Sequence, residues 1–468
     1  MYITKKPKVT VYTQLSNNFN WGLYSAAERF LKREVQKFLR HNPFAEKLAK
    51  EIEGNTSTYF LDWVDHIVIP EKEINITKLK SSGFEKIDIA VPKGVEVYRH
   101  TKTIFPTVLI STSNIHELAL KPENIDHCVR GLRIKISIEG KKSSPYRRAI
   151  LRKEKNHILS AVERKGTSGF IIEENKENRE AYKNALKLFS RRERQFDNDR
   201  RGILEVEKLI NNVIRTLSPA RTTDAFFRAE RIYWEKRNKT AKHQRKRHDI
   251  NGLGWGNHDH HTFRSSRKNF TCLIRIFEKL GFLCRERFFA GEIAGWGAQV
   301  LEHPDCNLVV FADVDITEME KDIDFSHKGL KETKKLGTIG LWIALHGESI
   351  LQSGMHHVAA RFNFTQLKRD LSKANIGIME PFSDFTFLKQ AFTEGEFWKV
   401  EKKRLETLQK KGIITSEQYK AFLQNGAIGS HLESIQRRQG FKGFNQDSVT
   451  AIIQAVDPRN KRKTNEAA

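Results

Sequence analysis

The chain has 468 residues, of which 38% are hydrophobic and 30% are charged, as in a globular protein with roughly two to four domains. It has no apolar run of transmembrane length and no hydrophobic secretory stretch near its start, which predicts a cytoplasmic protein without membrane contact. Its four cysteines include no Cys-x-x-Cys pair, so neither a disulfide framework nor a thiolate zinc site is predicted; they are Cys128, Cys272, Cys284 and Cys306.

The net charge of +25 raises the question of nucleic-acid binding, because a basic surface attracts polyanions. The lysines and arginines are nevertheless spread along the chain among 57 acidic residues. The densest basic run, from Lys236 to His248, is not interleaved with aromatic residues that stack on bases. Nucleic-acid binding is therefore kept as an alternative and is not the favoured interpretation.

In chain order, the N-terminal part begins with helix and continues with strands. Apolar residues recur at helical spacing between residues 16 and 53, and Asn42-Pro43 interrupts them. Trp63 to Pro70 is an apolar run of strand character that a proline ends, and two more strands are predicted at 105–111 and 116–120. Residues 1–144 are therefore predicted to form a first module that an N-terminal helix precedes.

From residue 145 to 250 the sequence becomes charged and amphipathic, as in long helices at a protein surface. One stripe of apolar residues at helical spacing is predicted to face a core; it consists of Ile203, Val206, Leu209, Ile210, Val213 and Leu217. The run Asn251-Gly-Leu-Gly-Trp-Gly256 then ends the helical region with turn-forming residues. This segment is predicted to be a basic helical insert.

A second strand-rich part follows, with 251–456 predicted as one domain and 457–468 as a basic tail. A helix that ends at Gly281 comes early in this part. Residues 384–425 are predicted to be mainly helical. The strands are predicted at 282–289, 299–301, 308–314, 341–345 and 358–364.

The two strand-rich parts share one order of features. Each opens with Asp-His on an apolar strand, at Asp65-His66 in the first part and Asp259-His260 in the second. In each part a helix follows, and then a Gly-Phe turn leads into the next strand, at Gly83-Phe84 and Gly281-Phe282. This order predicts an internal repeat in which two modules of one β-α-β-β-β type follow each other.

A late acid is predicted to complete the parallel. Roughly fifty residues after the histidine, the first part has Glu117 and the second has Asp313 or Asp315. His66 and Glu117 occupy positions at which such a module can place metal ligands. Because the sequence offers no matching third ligand, these two residues are predicted to be structural, although a second metal site there stays open.

The stretch from Trp255 to Arg264 concentrates histidines, an acid and an arginine in the second module. If it is a strand, alternation places His260, Thr262 and Arg264 on one face and His261 on the other. His260 would then ligate a metal, and the fork of Arg264 would grip a substrate carboxylate. The alternative is a polar loop in which one histidine caps the end of a strand.

Two later stretches supply further candidate ligands. One is His356 or His357, and the other is Glu433. Two imidazoles and one carboxylate form the facial triad that holds Fe(II) and leaves positions for substrate and O₂. Such a triad needs side chains that converge in space, which spacing alone does not establish. The coincidence of the three stretches carries the hypothesis.

These stretches resemble segments of one family, the 2-oxoadipate dioxygenase/decarboxylases, also called hydroxyglutarate synthases. Asp259-His-His-Thr-Phe-Arg264 is similar to that family's Asp-His-(x)₃-Arg strand. Met355-His-His-Val-Ala-Ala-Arg361 is similar to its Asn-His-Leu-Thr-Pro-Arg segment, and Glu433-Ser-Ile-Gln-Arg437 resembles its Glu-Ile-Glu-Gln-Arg segment. The resemblance covers residues 255–445, less than half of the chain.

The resemblance implies an α+β fold of vicinal-oxygen-chelate-like β-α-β-β-β modules, here with a helical insert between them. It implies Fe(II) as the cofactor, with His260, His357 and Glu433 as metal ligands. In that family the arginine after the first ligand binds the substrate carboxylate, a role that would fall to Arg264. The implied reaction uses O₂ to convert a small, 2-oxoadipate-like 2-oxo acid into a shorter 2-hydroxy acid and CO₂.

Departures from the family pattern keep alternatives open. His356 stands where the family has Asn, so the sequence leaves open whether His356 or His357 is the second ligand. The helical insert has no counterpart, so substrate identity, the role of the insert and the oligomeric state are not predicted. The alternative functions are another metal-dependent reaction of the same fold, such as ring cleavage or isomerisation, and non-catalytic nucleic-acid binding.

Overall fold

The computed structural model describes residues 21–173, 175–291, 294–445 and 457–459. The predicted basic tail therefore lies outside the described residues except at its first three positions. Within the described ranges, no helix combines the length and the apolar character needed to cross a membrane. Two large mixed sheets dominate these ranges, one in each half of the chain, and helices pack on both.

Seven strands form the N-terminal sheet. They are β1 Val64–Pro70, β2 Glu85–Ile87, β3 Val95–Arg99, β4 Thr107–Ser111, β5 His116–Leu120, β6 Tyr146–Glu154 and β7 His157–Arg164. Their order across the sheet is β2-β3-β4-β1-β5-β7-β6. β1 runs parallel to β4 and antiparallel to β5, and β5 runs parallel to β7.

Nine strands form the C-terminal sheet. They are β8 His258–Arg264, β9 Leu283–Phe289, β10 Trp296–His303, β11 Leu308–Asp315, β12 His357–Arg361, β13 Ser383–Asp384, β14 Leu388–Phe392, β15 Glu396–Trp398 and β16 Ala427–Arg437. Their order is β9-β10-β11-β8-β12-β16-β14-β13, and β15 pairs with β16 beside this path. β8 runs parallel to β11 and antiparallel to β12, and β12 runs parallel to β16.

The helices pack against these sheets and connect their strands. They are α1 Ser25–His41, α2 Pro43–Thr56, α3 Ile76–Ser81, α4 Ile125–Gly131, α5 Lys176–Arg191, α6 Asp199–Ile214, α7 Pro219–Lys236, α8 Lys239–Asp249, α9 Phe270–Lys279, α10 Thr338–His346, α11 Phe364–Ser372, α12 Lys402–Lys410 and α13 Ser416–Asn425. The predicted break at Asn42-Pro43 is confirmed, because the Asn42 side chain caps α2 by accepting from the backbone N–H of Ala45 at 3.0 Å.

The core of the C-terminal half lies between the helices α6, α7 and α9 and one face of β8. The predicted apolar stripe on α6 is confirmed, since Ile203, Val206, Ile210 and Val213 are buried there. Phe227 of α7 packs edge-on against Phe263, which lies on the face of β8 opposite to His260 and Arg264. Burying one such side chain contributes about 1.5–3 kcal/mol. Because one face of β8 is fixed against α7, its opposite face is directed away from this core.

The strand orders of the two sheets match element by element, so β1 corresponds to β8, β4 to β11, β5 to β12, β7 to β16 and β6 to β14. Strand directions agree as well, and so does the register. His66 pairs with Ala119 as His260 pairs with Ala359, and a register shift follows at the equivalent step in both pairs of strands. The predicted internal repeat of β-α-β-β-β modules is therefore confirmed.

The Gly-Phe turns illustrate how closely the repeat is kept. Gly83 and Gly281 have φ angles of +96° and +97°, a backbone conformation that residues other than glycine rarely adopt. A Cβ on Gly83 would lie 2.3 Å from Nε2 of His100, and one on Gly281 would lie 2.9 Å from Nε2 of His303. These two histidines are equivalent, so both turns are fixed by the same close contact.

The predicted correspondence of the late acids is wrong. Glu117 lies on β5, whereas Asp313 lies on β11, whose equivalent in the first sheet is β4. The register instead places Glu117 opposite Val68, as His357 lies opposite Thr262. Counting residues after the histidine failed because the loops of the two modules differ in length.

The helical region predicted from residue 145 begins later, at α5. Residues 146–164 form β6 and β7, which complete the N-terminal sheet beside β5. The sequence of β6, from Tyr146 to Glu154, does not show the alternation of apolar and polar residues that indicates a strand, because arginine and lysine are mixed irregularly with its apolar residues. The N-terminal sheet therefore extends beyond residue 144.

Two C-terminal predictions also differ from the structure. Residues 341–345 lie in α10 and not in a strand, because a helix that is apolar all round cannot be told by periodicity from a buried strand. The helical prediction for 384–425 holds only for α12 and α13, since β14 and β15 occupy its first part. The strands predicted around β1, β4, β5 and β9 to β12 are confirmed.

Candidate metal centre

Three strands of the C-terminal sheet bring His260, His357 and Glu433 to one point. β12 lies between β8 and β16, and the register pairs its Ala359 with both His260 and Glu433. Nε2 of His260 and Nε2 of His357 each lie 3.0 Å from Oε2 of Glu433. One ligand atom from each of the three residues lies within 4.8 Å of the others, and all three residues are buried.

A buried chain of charged groups orients His260. Its Nδ1 donates to Oδ1 of Asp259 at 3.1 Å, which directs Nε2 toward Glu433. Asp259 is in turn held by two hydrogen bonds of 2.9 and 3.0 Å from the guanidinium of Arg437. A carboxylate behind a histidine fixes its tautomer and ring orientation, as is typical of histidines that ligate metals.

The electrostatics of the three residues favour a cation between them. Burial opposes the charge of Glu433, but the imidazoles of His260 and His357 keep its pKa below its usual value. Burial alone would lower the pKa of His260, yet the carboxylates of Glu433 and Asp259 raise it to about 9. Burial lowers the pKa of His357, which keeps this imidazole neutral and its lone pair available.

The donor set fits a first-row divalent metal such as Fe(II). Two imidazole nitrogens and one carboxylate oxygen on one side of an ion form a facial triad. Two ligands about 2.1 Å from an ion and at right angles lie about 3.0 Å apart. Both nitrogen-to-oxygen distances at Glu433 equal 3.0 Å, so the side chains are spaced for such an ion.

Two uncharged neighbours contact the triad. Gln390 of β14 donates from Nε2 to Oε1 of Glu433 at 2.9 Å, which leaves Oε2 directed at the two histidines. Oγ1 of Thr262 lies 2.9 Å from Nε2 of His357. Gln390 thus supports the carboxylate from behind, whereas the Thr262 hydroxyl contacts the same nitrogen of His357 that faces Glu433.

Arg264 lies on the same face of β8 as His260 and Thr262, as strand alternation predicts, and these three residues line one cavity. Its closest carboxylate is that of Asp313, with 3.8 Å between Nε and Oδ2, which is too long for a hydrogen bond. Nε has no hydrogen-bond partner among the described residues. Burial raises the pKa of Asp313 to about 7, so this carboxyl neutralises the guanidinium only in part.

The cavity in front of the triad has a volume of about 70 Å³. Apart from the polar groups already described, aromatic rings form most of its wall: Phe288, Trp296, Phe311, Phe382, Phe392 and Phe444. Aromatic walls exclude bulk water, which strengthens electrostatic interactions inside the cavity.

The structure distinguishes the two histidines that the sequence left open. His357 joins His260 and Glu433, whereas His356 is directed elsewhere and donates from Nδ1 to the carbonyl oxygen of Gly429 at 3.1 Å. His356 instead forms a second group with His357 and His431. The ligand at this position of the triad is therefore expected to be His357.

The N-terminal module repeats the supporting part of this arrangement. His66 contacts Oδ2 of Asp65 at 2.7 Å through Nδ1, and Arg164 binds the same carboxylate with two hydrogen bonds of 2.8 and 2.9 Å. The register makes these residues equivalent to His260, Asp259 and Arg437.

The ligand positions of the N-terminal module are filled differently. Glu117 takes the place of His357, and Ser160 takes the place of Glu433. Arg148, which is equivalent to Gln390, binds Glu117 through two hydrogen bonds of 2.9 and 2.7 Å. Among the described residues, His66 and Glu117 are joined by no third metal ligand. A guanidinium replaces the cation here, which supports the structural role predicted for His66 and Glu117.

The arginines of the densest basic run are engaged within the fold, whereas its lysines are exposed: Lys236, Lys239, Lys242 and Lys246. Arg245 forms ion pairs with Glu123 and Asp249, and Arg247 pairs with Asp370. The guanidinium of Arg237 lies 3.8 Å from the ring of Trp398. The arginines of this run therefore join α8 and the end of α7 to neighbouring elements rather than forming a free basic face.

Gln390, Thr262 and Asp313 line the site without having been assigned a role from the sequence. Thr262 was accessible to the alternation argument, because it lies between His260 and Arg264 on one strand face. Gln390 carries no sequence signal, since it lies in a segment that was predicted to be helical. Only the pairing of β14 with β16 brings it next to Glu433.

Solved structures show only distant likeness to this chain. A putative hydrolase from Shewanella frigidimarina NCIMB 400 is 15% identical with a TM-score of 0.33, over 48% of this chain and 97% of that one. A 4-hydroxymandelate synthase variant from Streptomyces coelicolor is 10% identical with a TM-score of 0.28, over 85% and 98%. Methylmalonyl-CoA epimerase from Mycobacterium tuberculosis is 11% identical with a TM-score of 0.23, over 39% and 89%.

No protein-family model and no curated protein matches the sequence. Because the identities and TM-scores above are low, these likenesses carry no argument about function. The strand order and register assign the fold: it is α+β, with two vicinal-oxygen-chelate-like β-α-β-β-β modules.

Proposed function

We propose that this protein is an Fe(II)-dependent dioxygenase and decarboxylase that acts on a small 2-oxo acid. The observation that supports this most directly is the convergence of His260, His357 and Glu433 beside the open guanidinium of Arg264. The substrate would be 2-oxoadipate-like, and the products would be CO₂ and a 2-hydroxy acid that is one carbon shorter. One O₂ per 2-oxo acid balances all atoms of this reaction.

The chain's own residues would bind and orient the substrate. Arg264 would pair with a substrate carboxylate, because its Nε lacks a hydrogen-bond partner among the described residues and its fork suits a planar anion. The aromatic wall would exclude water and strengthen this ion pair. Bound Fe(II), held by His260, His357 and Glu433, would supply O₂ activation and would polarise the keto group.

Another metal-dependent reaction of the same fold, such as ring cleavage or isomerisation, would use the same three ligands. Arg264 favours an acid substrate over a neutral ring or thioester, because a buried guanidinium needs an anionic partner. Nucleic-acid binding is not favoured by the basic run, because its arginines are engaged within the fold and only its lysines are exposed. The 2-oxo acid reaction is therefore the preferred proposal.

The test compares iron content and turnover in the parent, His260→Ala and Arg264→Lys. Each protein is loaded with Fe(II) without oxygen and then assayed for O₂ uptake and CO₂ release with a panel of 2-oxo acids. The parent should hold stoichiometric iron and consume one O₂ for each CO₂ released. His260→Ala should lose iron, because a triad ligand is removed.

Arg264→Lys should keep its iron and lose substrate affinity, since lysine keeps the charge but not the fork. Removing a buried charged hydrogen bond costs on the order of 2–5 kcal/mol, or roughly thirty-fold or more in affinity. If the lysine variant binds 2-oxo acids as well as the parent does, Arg264 has only a structural role and the substrate assignment fails. If the parent holds no iron, the enzyme class itself is wrong.

A further inference from the structure

Three buried histidines form a second cluster beside the candidate metal centre. His356, His357 and His431 each offer a ring nitrogen, and these nitrogens lie within 4.8 Å of one another. Their residues are 1%, 5% and 0% exposed. His431 lies opposite His357 on the neighbouring strand β16, and His356 immediately precedes β12. The cluster therefore shares His357 with the triad.

The ring nitrogens in this cluster lack partners. Nε2 of His356, Nδ1 of His357 and both ring nitrogens of His431 find no hydrogen-bond partner in the part of the chain that the structure describes. A buried polar atom without a partner is costly, and several in one place call for a ligand. Nδ1 of His356 donates to the carbonyl of Gly429, so Nε2 carries the lone pair. This is the orientation that a backbone carbonyl gives a metal-ligating histidine.

Packing does not explain these histidines. The ring of His431 stacks on Phe392 with 4.4 Å between centroids, and that of His356 lies edge-on against Trp342 at 5.2 Å. In the N-terminal module the residue equivalent to His431 is Ile158, which fills the same strand position without a polar atom. An apolar residue would satisfy this packing, so packing leaves the unpartnered nitrogens unexplained.

We propose that His356, His357 and His431 hold a second first-row divalent cation, with the imidazole of His357 bridging the two ions. Its Nε2 contacts Glu433 of the triad, and its Nδ1 has no hydrogen-bond partner among the described residues, so Nδ1 is the nitrogen left for the second ion. When both ions are bound, His357 releases its ring proton to solvent, and the resulting negative charge offsets part of the added positive charge. Three imidazoles without a carboxylate select ions such as Zn²⁺ and Cu²⁺ over Mg²⁺ and Ca²⁺.

The proposal predicts that the protein binds two equivalents of Zn²⁺. Glu278, Cys284 and His327 form a more exposed group that also attracts Zn²⁺, so the titration is performed on a His327→Ala parent. In that background, His431→Phe and His356→Asn should each lose one equivalent and keep the other. The equivalent that is kept shows that these variants fold and retain the triad.

Two further variants separate the sites. His346→Phe is the matched control, because His346 is also buried beside Trp342 but bonds to the carbonyl of Ile428 and lies outside the cluster. It should keep both equivalents. His260→Ala should lose the triad's ion and keep the second one, so failure of the proposed function and failure of this inference give different results.

Cu²⁺ tests the bridge. With Cu²⁺ in both sites, an imidazolate bridge couples the two electron spins, so the EPR signal should be weaker than the sum of two isolated sites. The inference is overturned if the His327→Ala parent binds only one equivalent, or if His431→Phe and His356→Asn both retain two. Two uncoupled copper signals would overturn the bridging role of His357.

Discussion

Asp259 lies behind the proposed metal ligand His260, and its replacement by Asn separates the support of this ligand from the general stability of the fold. The carboxylate accepts from Nδ1 of His260 and forms two hydrogen bonds with Arg437. Asn keeps the size of the side chain but loses the charge that fixes both partners. Loss of a partner behind a metal-bound histidine lowers metal affinity about 10- to 100-fold. This corresponds to about 1.4–2.7 kcal/mol of binding free energy.

The chain contains a matched control for this change. Asp65 contacts His66 and Arg164 in the same way in the N-terminal module, where the ligand triad is not completed. Breaking either buried ion pair leaves an arginine without its partner, so each Asn variant should lose roughly 3 kcal/mol of unfolding free energy. Only Asp259→Asn should also lower the affinity of the triad for Fe(II).

The assay measures anaerobic competition for Fe(II) against a chromophoric chelator, together with urea unfolding of the metal-free proteins. Asp259→Asn should need less chelator to lose half of its iron, whereas Asp65→Asn should match the parent. Equal loss of iron affinity in both variants would mean that the effect is general destabilisation. An Asp259→Asn variant that retains parental affinity would refute the argument that the carboxylate orients His260.

Three further predictions follow from contacts near the site and in the core. Gly281→Ala should lower the free energy of urea unfolding by more than about 1 kcal/mol, because of its positive φ and the nearby His303 ring. Gln390→Leu removes the hydrogen-bond donor to Glu433. It should lower the affinity for Fe(II), measured by chelator competition, by up to roughly 10-fold. Burial lowers the pKa of His248 from 6.5 to about 3. The unfolded chain therefore binds a proton that the folded chain excludes, and stability should fall as pH drops from 6.5 toward 3, less steeply in His248→Gln.

Local patterns were sufficient where one element determines its own geometry. Alternation along β8 places His260, Thr262 and Arg264 on one face because the side-chain period of a strand is two. The Gly-Phe turns of the repeat were visible because their positive φ angles require glycine. The apolar stripe on α6 was visible for the same kind of reason, since helical periodicity is intrinsic to one segment.

Arrangements that depend on pairing between distant strands could not be read in this way. The sequence could not choose between His356 and His357, because that choice depends on the register of β12 against β8 and β16. It did not reveal that Gln390 supports Glu433, because β14 was hidden in a segment predicted to be helical. Buried segments such as α10 were misassigned because burial on all sides removes the periodicity.

Both modules have the same fold, yet among the described residues only the C-terminal module brings two histidines and a glutamate together in this way. Both modules keep a histidine supported by an Asp–Arg pair, so this support belongs to the fold and not to the metal site alone. The modules differ in two ways: Ser160 stands in place of the ligand Glu433, and Arg148 binds Glu117 in the first module, whereas its counterpart Gln390 is neutral. Two unit charges about 4 Å apart repel by roughly 4 kcal/mol near a protein surface, and a divalent ion doubles this cost. The guanidinium thus stabilises Glu117 and opposes the binding of a metal ion at this position.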